Sequence, residues 1–273
     1  MKAILNKSPI GNFQSKVTEP LGSACLGVIM PVYNEARTID EIIRRVIAQS
    51  SVCELVVVDD GSSDGTLALL RQWPLLDKRV RILEHESNRG KGAAIRTGRL
   101  ASTAPVVIMQ DADLEYDPAD YLRMLDLIRS NQADVVYGSR FSGENNVSNP
   151  AWHTLGNRCL TRLSNIASGL KLTDEATCYK MFRREVFASI QLEEDGFGFC
   201  PEVTAKISKL GARVREVPIS YRGRTRGEGK KIRFRDGWNA LSCIIKYNFF
   251  RSSGGYRGWD QICVEDKRYA NVR

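Results

Sequence analysis

The sequence is poor in the residues that build metal and redox centres. Its histidines are His85 and His153, and none of its seven cysteines falls in a C-x-x-C pair. Zinc ligation is therefore not expected. Cys25, Cys53, Cys159, Cys178, Cys200, Cys243 and Cys263 are odd in number and widely scattered. That argues against a disulfide framework and for a reducing cytoplasm. Long apolar runs are also missing: the longest hold about six residues, against the roughly 20 that span a bilayer. Asn6, Lys7, Asn12, Gln14 and Lys16 interrupt the first apolar residues, which is not the pattern of a signal peptide. A membrane role would mean lying on the surface.

What is present is ordinary for a globular chain: 42% hydrophobic and 26% charged residues in 273. The formal charge of +8 favours anionic partners, whether phosphates, acidic lipids or nucleic acid.

Apolar periodicity divides the chain. Leu26–Met30, Leu55–Val58, Val80–Glu84, Val106–Met109 and Asp134–Tyr137 read as strands, and the continuous apolar run Leu55–Val58 is typical of one buried on both faces. Between them, Thr38–Gln49, Thr66–Gln72, Gly92–Ser102 and Pro118–Ser130 carry helical spacing. This alternation predicts an α/β fold with a largely parallel sheet. After about Arg140 the alternation fades. Ser142–Pro150 reads as a loop; Leu155–Ile166, Phe182–Ile190 and Pro201–Leu210 as helices; Val214–Ile219 as a strand; Arg222–Arg235 as a basic loop; and Asp236–Phe250 as an amphipathic helix. The expected organisation is a flexible segment over 1–24, one domain over 25–250 and a polar tail over 251–273. Within the domain, a donor half runs to about residue 140 and an acceptor half follows.

In parallel sheets ligands sit at the carboxyl ends of the strands. Three polar clusters occupy such ends. Asp111-Ala112-Asp113 follows a buried strand; two desolvated, mutually repelling carboxylates there suit magnesium or manganese, which bind one or two carboxylates plus phosphate oxygens. Glu115 could add a direct or water-mediated contact. Asp59 and Asp60, followed by Gly61-Ser62-Ser63-Asp64-Gly65, could accept hydrogen bonds from a base or a ribose, although Ser62, Ser63 and Asp64 also suit helix capping. In Pro31-Val32-Tyr33-Asn34-Glu35, Tyr33 could stack on a base and Glu35 reach a ribose, or the segment is a plain turn. Asn88-Arg89-Gly90-Lys91-Gly92 opens a helix with two cations and two glycines, which suits a diphosphate. Arg140 follows another strand and is placed towards the same crevice. Glu194 and Asp195 could supply or orient a general base, or mark a charged junction. The basic stretch Arg222, Arg224, Arg226, Lys230, Lys231, Arg233 and Arg235 precedes a helix bearing Trp238, Leu241, Ile244, Ile245, Tyr247, Phe249 and Phe250; the pair suits an anionic membrane interface or, for the helix, the core.

Together VIMPVYNE (28–35), VVVDDGSSDGT (56–66), NRGKGAA (88–94), QDADLEYDP (110–118), YGSRF (137–141), TCYKMFRREV (177–186), FGFCPEVTAKI (197–207) and VPISYRGRTRGEGKKI (217–232) resemble the inverting family 2 glycosyltransferases, in the branch of dolichol-phosphate mannosyltransferase. The resemblance covers about 26–250. It implies a GT-A fold and a UDP- or GDP-sugar donor. It places Pro31, Tyr33, Glu35, Asp59 and Asp60 around the nucleoside, Lys91, Asp111 and Ala112 at the donor, and Asp111, Asp113 and Glu115 at the metal. The acceptor it implies is a polyprenyl phosphate met by Arg140, Arg158 and Arg222 or Arg224. Asp113 and Arg140 are then the catalytic residues, with no base required. A soluble or glycan acceptor would instead need Asp195 or Glu194 as base. A non-enzymatic nucleic-acid or membrane binder using the basic loop alone would leave the three carboxylate clusters without a role; no nucleic acid is expected.

Overall fold

A computed structural model describes residue 21 and residues 25–142, 151–224 and 234–250; the side chains of 151–153 and 234–236 are outside that description. The expected N-terminal segment, C-terminal tail and most of the basic loop lie outside the described residues.

The elements run in the order β1 (Leu26–Val32), α1 (Ile39–Ile47), β2 (Val52–Asp59), α2 (Thr66–Leu70), α3 (Trp73–Leu76), β3 (Val80–Glu84), α4 (Lys91–Ala101), β4 (Val106–Met109), α5 (Tyr121–Arg129), β5 (Val135–Ser139), α6 (Ala151–Ser168), β6 (Lys180–Arg183), α7 (Arg184–Ser189), α8 (Phe199–Leu210), β7 (Val214–Pro218) and α9 (Phe234–Ile245), whose end continues as a π-helical turn over Lys246–Phe250. Seven strands form one sheet in the order β3-β2-β1-β4-β6-β5-β7. β1 pairs in parallel with β2 and β4, while β6 is antiparallel to both neighbours.

The central strands form because their apolar runs have no polar face to present. All of β4, and Leu55–Val58 of β2, are buried. α1 covers them with Ile39, Ile42, Ile43 and Val46, one stripe at helical spacing. On α4, Gly98 permits a close approach to the sheet: a Cβ there would come 2.4 Å from Ile29 Cγ2.

One element departs from the sequence expectation. Residues 182–190 read as a helix, yet Lys180–Arg183 is a strand inserted between β4 and β5, and only Arg184–Ser189 is helical. The strand carries two cations, and both are satisfied internally. Lys180 Nζ donates to the carbonyls of Glu175 and Thr177, and Arg183 donates to the Ile128 carbonyl at 2.8 Å. Helix α6 also starts at Ala151, earlier than Leu155.

The close packing at Gly98 yields a prediction. Gly98→Val should destabilise the protein by about 1–3 kcal/mol through overpacking, read as a lower urea midpoint at unchanged slope.

Candidate functional site

The register that pairs Val32 with Asp59 and Ile29 with Met109 brings three strand ends to one edge. The polar loops that follow are joined directly. Asn34, in the left-handed region (φ 53°), accepts from Ser63 N at 2.8 Å through Oδ1 and donates its own N–H to Ser62 Oγ at 2.9 Å. Glu35 N donates to Thr66 Oγ1 at 2.9 Å, and Ala36 N to Asp64 Oδ2 at 3.1 Å. Helix α2 is entered through Gly65 without a side-chain cap. The small polar residues thus bind loop to loop, where the sequence had also allowed simple capping.

Asp59 and Asp60 part company. Asp59 is buried; its Oδ2 accepts from Ser62 N at 3.0 Å, and its Oδ1 has no hydrogen-bond partner among the described residues. A buried, unmatched carboxylate oxygen at a strand end is costly and complements an N–H of a ligand. Asp60 is occupied on both oxygens: Oδ1 by His85 Nδ1 at 2.7 Å and Arg89 N at 2.9 Å, Oδ2 by Gly90 N at 2.8 Å. Asp60, expected beside the nucleoside, thus also shapes the loop leading to Lys91.

That loop is held tightly. A Cβ at Gly92 would lie 2.1 Å from the Glu194 carbonyl oxygen, and one at Gly90, where φ is +97°, 2.5 Å from that of Asp195. The Asp195 carbonyl accepts from Ala93 N at 3.1 Å, so one amide at the start of α4 is capped by protein and is not open to a diphosphate. Lys91 turns inward and places Nζ 2.5 Å from Asp111 Oδ1. Burial opposes its charge, but Asp111 outweighs burial and keeps the ammonium protonated well above the usual lysine range.

Among the described residues no cation pairs with the Asp113 carboxylate. Burial, then the charges of Asp111 and Glu115, push its carboxyl up to about 7. It accepts from Glu115 N at 3.1 Å across Leu114, which sits at φ 62°. A buried carboxyl pushed up beside a second carboxylate suits a hard divalent cation that takes one or two carboxylates plus phosphate and water. Among the described residues no three His, Cys, Asp or Glu side chains form a cage. Ala112, between the two, is buried.

Glu115, expected to add a direct or water-mediated metal contact, anchors residues 221–224: its Oε2 accepts from Tyr221 O–H at 2.7 Å and its Oε1 from Arg224 N at 2.7 Å. Arg224, one of the arginines expected at the acceptor phosphate, donates through Nε to the Asp113 carbonyl at 2.7 Å and through Nη2 to Glu35 Oε2 at 2.9 Å. Glu35 is thus paired with an arginine. Pro31 is half-buried, and Tyr33 is exposed at the mouth.

Arg140 also differs from expectation. It is buried in a two-point pair with Asp174, Nε to Oδ2 at 2.6 Å and Nη2 to Oδ1 at 2.8 Å, and its guanidinium lies over Tyr221 and Phe141. Its charge is matched by Asp174, so a direct acceptor contact is not what this arrangement shows. Arg158 is exposed and lies over the other ring neighbour, Phe141, at 5.6 Å; the Arg222 side chain is exposed as well. Asp195 is exposed and ion-paired with Arg96, and Glu194 accepts from Lys246 Nζ at 2.8 Å and Tyr247 O–H at 2.6 Å. Burial works against the Glu194 charge, but those hydrogen bonds outweigh it and hold its carboxyl below the usual range. Neither is arranged as a general base. Arg226, Lys230, Lys231 and Arg233 lie outside the described residues.

Sequence reasoning missed Asp174, Tyr221 and His85. Their roles depend on partners 34, 106 and 25 positions away, and no local pattern marks them.

A model of the family "Glycosyl transferase family 2" matches residues 27–191. Polyprenol monophosphomannose synthase of Mycolicibacterium smegmatis is 34% identical over 214 residues, covering 74% of this chain and 79% of that protein. Undecaprenyl-phosphate mannosyltransferase of Micrococcus luteus is 31% identical, with 74% and 85% covered. Dolichyl-phosphate hexose transferase of Haloferax volcanii is 32% identical, with 81% and 92% covered. Among solved structures, glucosyl-3-phosphoglycerate synthase from Mycobacterium tuberculosis, in complex with Mn2+, UDP and phosphoglyceric acid, superposes with a TM-score of 0.64 at 18% identity, over 85% of this chain and 81% of that one.

The buried pair makes a further prediction. Asp174→Ala leaves Arg140 uncompensated and should cost about 3–5 kcal/mol of stability, measured by chemical denaturation.

Proposed function

The chain belongs to glycosyl transferase family 2 and has the GT-A fold, and on that premise we propose that it transfers a hexose, with inversion, from a UDP- or GDP-sugar to a polyprenyl phosphate at a membrane surface. The observation that carries the reading is the shared carboxyl edge of β2 and β4 on either side of β1, where β2 ends at Asp59 with its unmatched oxygen and β4 runs on to Asp111 and the destabilised carboxyl of Asp113. The names of the relatives support the lipid-phosphate acceptor.

Asp59 Oδ1 accepts a hydrogen bond from the nucleoside base. Asp111 and Asp113 would hold magnesium or manganese, which when bound would supply positive charge to the leaving diphosphate. Lys91, already on Asp111, adds a second positive charge at that position. An acceptor phosphate oxygen attacks the anomeric carbon as the bond to the donor diphosphate breaks on the opposite face. The new bond takes the oxygen's electron pair, and the diphosphate leaves with the old one. The phosphate is already an anion, so no side chain need remove a proton. That accords with Asp195 and Glu194 being engaged by cations. Arg158 and Arg222, exposed, are the arginines that receive the acceptor phosphate, and Arg140 braces Phe141 and Tyr221 beside them. Catalysis rests on positioning and electrostatics.

The test is sugar transfer to a polyprenyl phosphate from a panel of UDP- and GDP-sugars, with magnesium or manganese. Asp113→Ala should lower the rate by at least about 100-fold; wild-type transfer rates in that variant would refute the metal assignment. Asp195→Ala should stay within about tenfold of wild type, because loss of a general base costs about 100-fold or more. Asp59→Asn should raise the donor KM by about 10- to 100-fold, the value of a hydrogen bond to a charged group.

A further inference from the structure

Helix α6 is built inside out. It buries Thr161 and Ser164, and turns Leu155, Leu163 and Ile166 to solvent. Thr161 is inward because its Oγ1 accepts from Glu175 N at 3.1 Å. The outward apolar residues are no accident of one position: Leu155, Arg158, Cys159, Arg162, Leu163 and Ile166 are all exposed and fall on one side of the helix at about 100° per residue. Ile166 is 75% exposed, more than a helix that serves only the core would leave open.

Helix α9 repeats the pattern. Cys243, Ile244 and Tyr247 face inward, while Trp238, Ile245 and Phe249, at positions i, i+7 and i+11, are exposed, and so is Phe250. α6 and α9 touch each other, and both rest on α8, so the two helices that carry these exposed apolar residues are neighbours. Exposed large apolar residues gathered on neighbouring helices mark an interaction site.

The charge on these faces selects the occupant. Arg158 and Arg162 are interleaved with the exposed leucines and isoleucine of α6, which contains no acidic residue; α9 carries Arg235 and Asp236 in its first turn and has no further acid through Phe250. Large apolar side chains with arginines between them on α6, beside exposed aromatic side chains on α9, on helices not long and apolar enough to cross a membrane, have the composition of helices that lie in an anionic interface. The face also adjoins the site, since Arg158 of α6 lies over Phe141, which itself sits beneath Arg140 at the end of β5.

We propose that the outward faces of α6 and α9 form the surface by which this protein docks on an anionic phospholipid bilayer. The inference deepens the proposed function, resting on its lipid acceptor, and assigns the face that brings the site to that acceptor.

The experiment is flotation of the full chain with vesicles, without donor or acceptor. Wild type should bind phosphatidylcholine vesicles containing phosphatidylglycerol and bind vesicles of phosphatidylcholine alone much more weakly. Leu163→Glu/Ile166→Glu and, separately, Trp238→Glu should bind the mixed vesicles at least about tenfold more weakly. Arg162→Ala, which leaves the apolar face intact, should bind about fivefold more weakly. The idea is overturned if wild type fails to float, if it floats equally on neutral vesicles, or if the variants float as wild type does. That last result with a dimer that Ile166→Glu splits into monomers would make the face a contact between copies. Transfer to a short-chain, water-soluble polyprenyl phosphate separates the two readings. If wild type floats but transfers nothing, the docking face stands and the acceptor assignment falls; if it transfers but does not float, the reverse holds.

Discussion

Crowding carboxylates at the carboxyl edge of a parallel sheet is electrostatically unfavourable, and much of the site is arranged to answer that one cost. The apolar strands that bring β1, β2 and β4 into register deliver Glu35, Asp59, Asp60, Asp111, Asp113 and Glu115 to a single edge. Water is largely excluded beneath them, so their repulsion is weakly screened. The protein answers with cations drawn from elsewhere in the chain: Lys91 to Asp111, Arg224 to Glu35 and Arg140 to Asp174 nearby. Asp60 is answered with backbone amides and His85. What remains unanswered, Asp113 and one oxygen of Asp59, is what a bound donor can satisfy.

This explains why the sequence showed so much of the architecture and only part of the chemistry. Continuous apolar runs that stop at Asp59 and Asp111 are local signals, and they located the edge correctly because a strand buried on both faces has few other readings. The partners of those carboxylates are long-range. Arg224 looked like an acceptor arginine from its basic surroundings, yet it pairs with Glu35, 189 positions away. Glu115 looked like a third metal ligand from its spacing, yet Tyr221 holds it. Phe182 and Arg183 read as the start of a helix over 182–190, because two basic residues obscure a strand whose cations donate to carbonyls inside the fold. Spacing along a chain reports backbone geometry well and the direction of a long side chain poorly.

The same economy links the two helices of the outer face to the site. The Lys246-Tyr247 turn that ends α9 holds Glu194, and the adjoining Asp195 carbonyl caps α4 immediately after Lys91. Gly90 and Gly92 leave no clearance between that loop and the start of α4. The carboxylates suggested by sequence as chemical bases are therefore fasteners, and the loop that carries them sets where the Asp111 counter-charge stands.

The place of β6 in the sheet has a consequence for the order in which the protein can be completed. β1, β2, β3 and β4 are neighbours already made when they leave the ribosome, and they can pair as they emerge. β5 is made before β6, yet β6 lies between it and β4, and its other neighbour, β7, comes later still. β5 must therefore wait as an unpaired strand until Lys180–Arg183 has been synthesised. A truncated chain ending between these segments would expose the open edges of β4 and β5 at once, and premature termination there would release a fragment prone to aggregation in place of a working half.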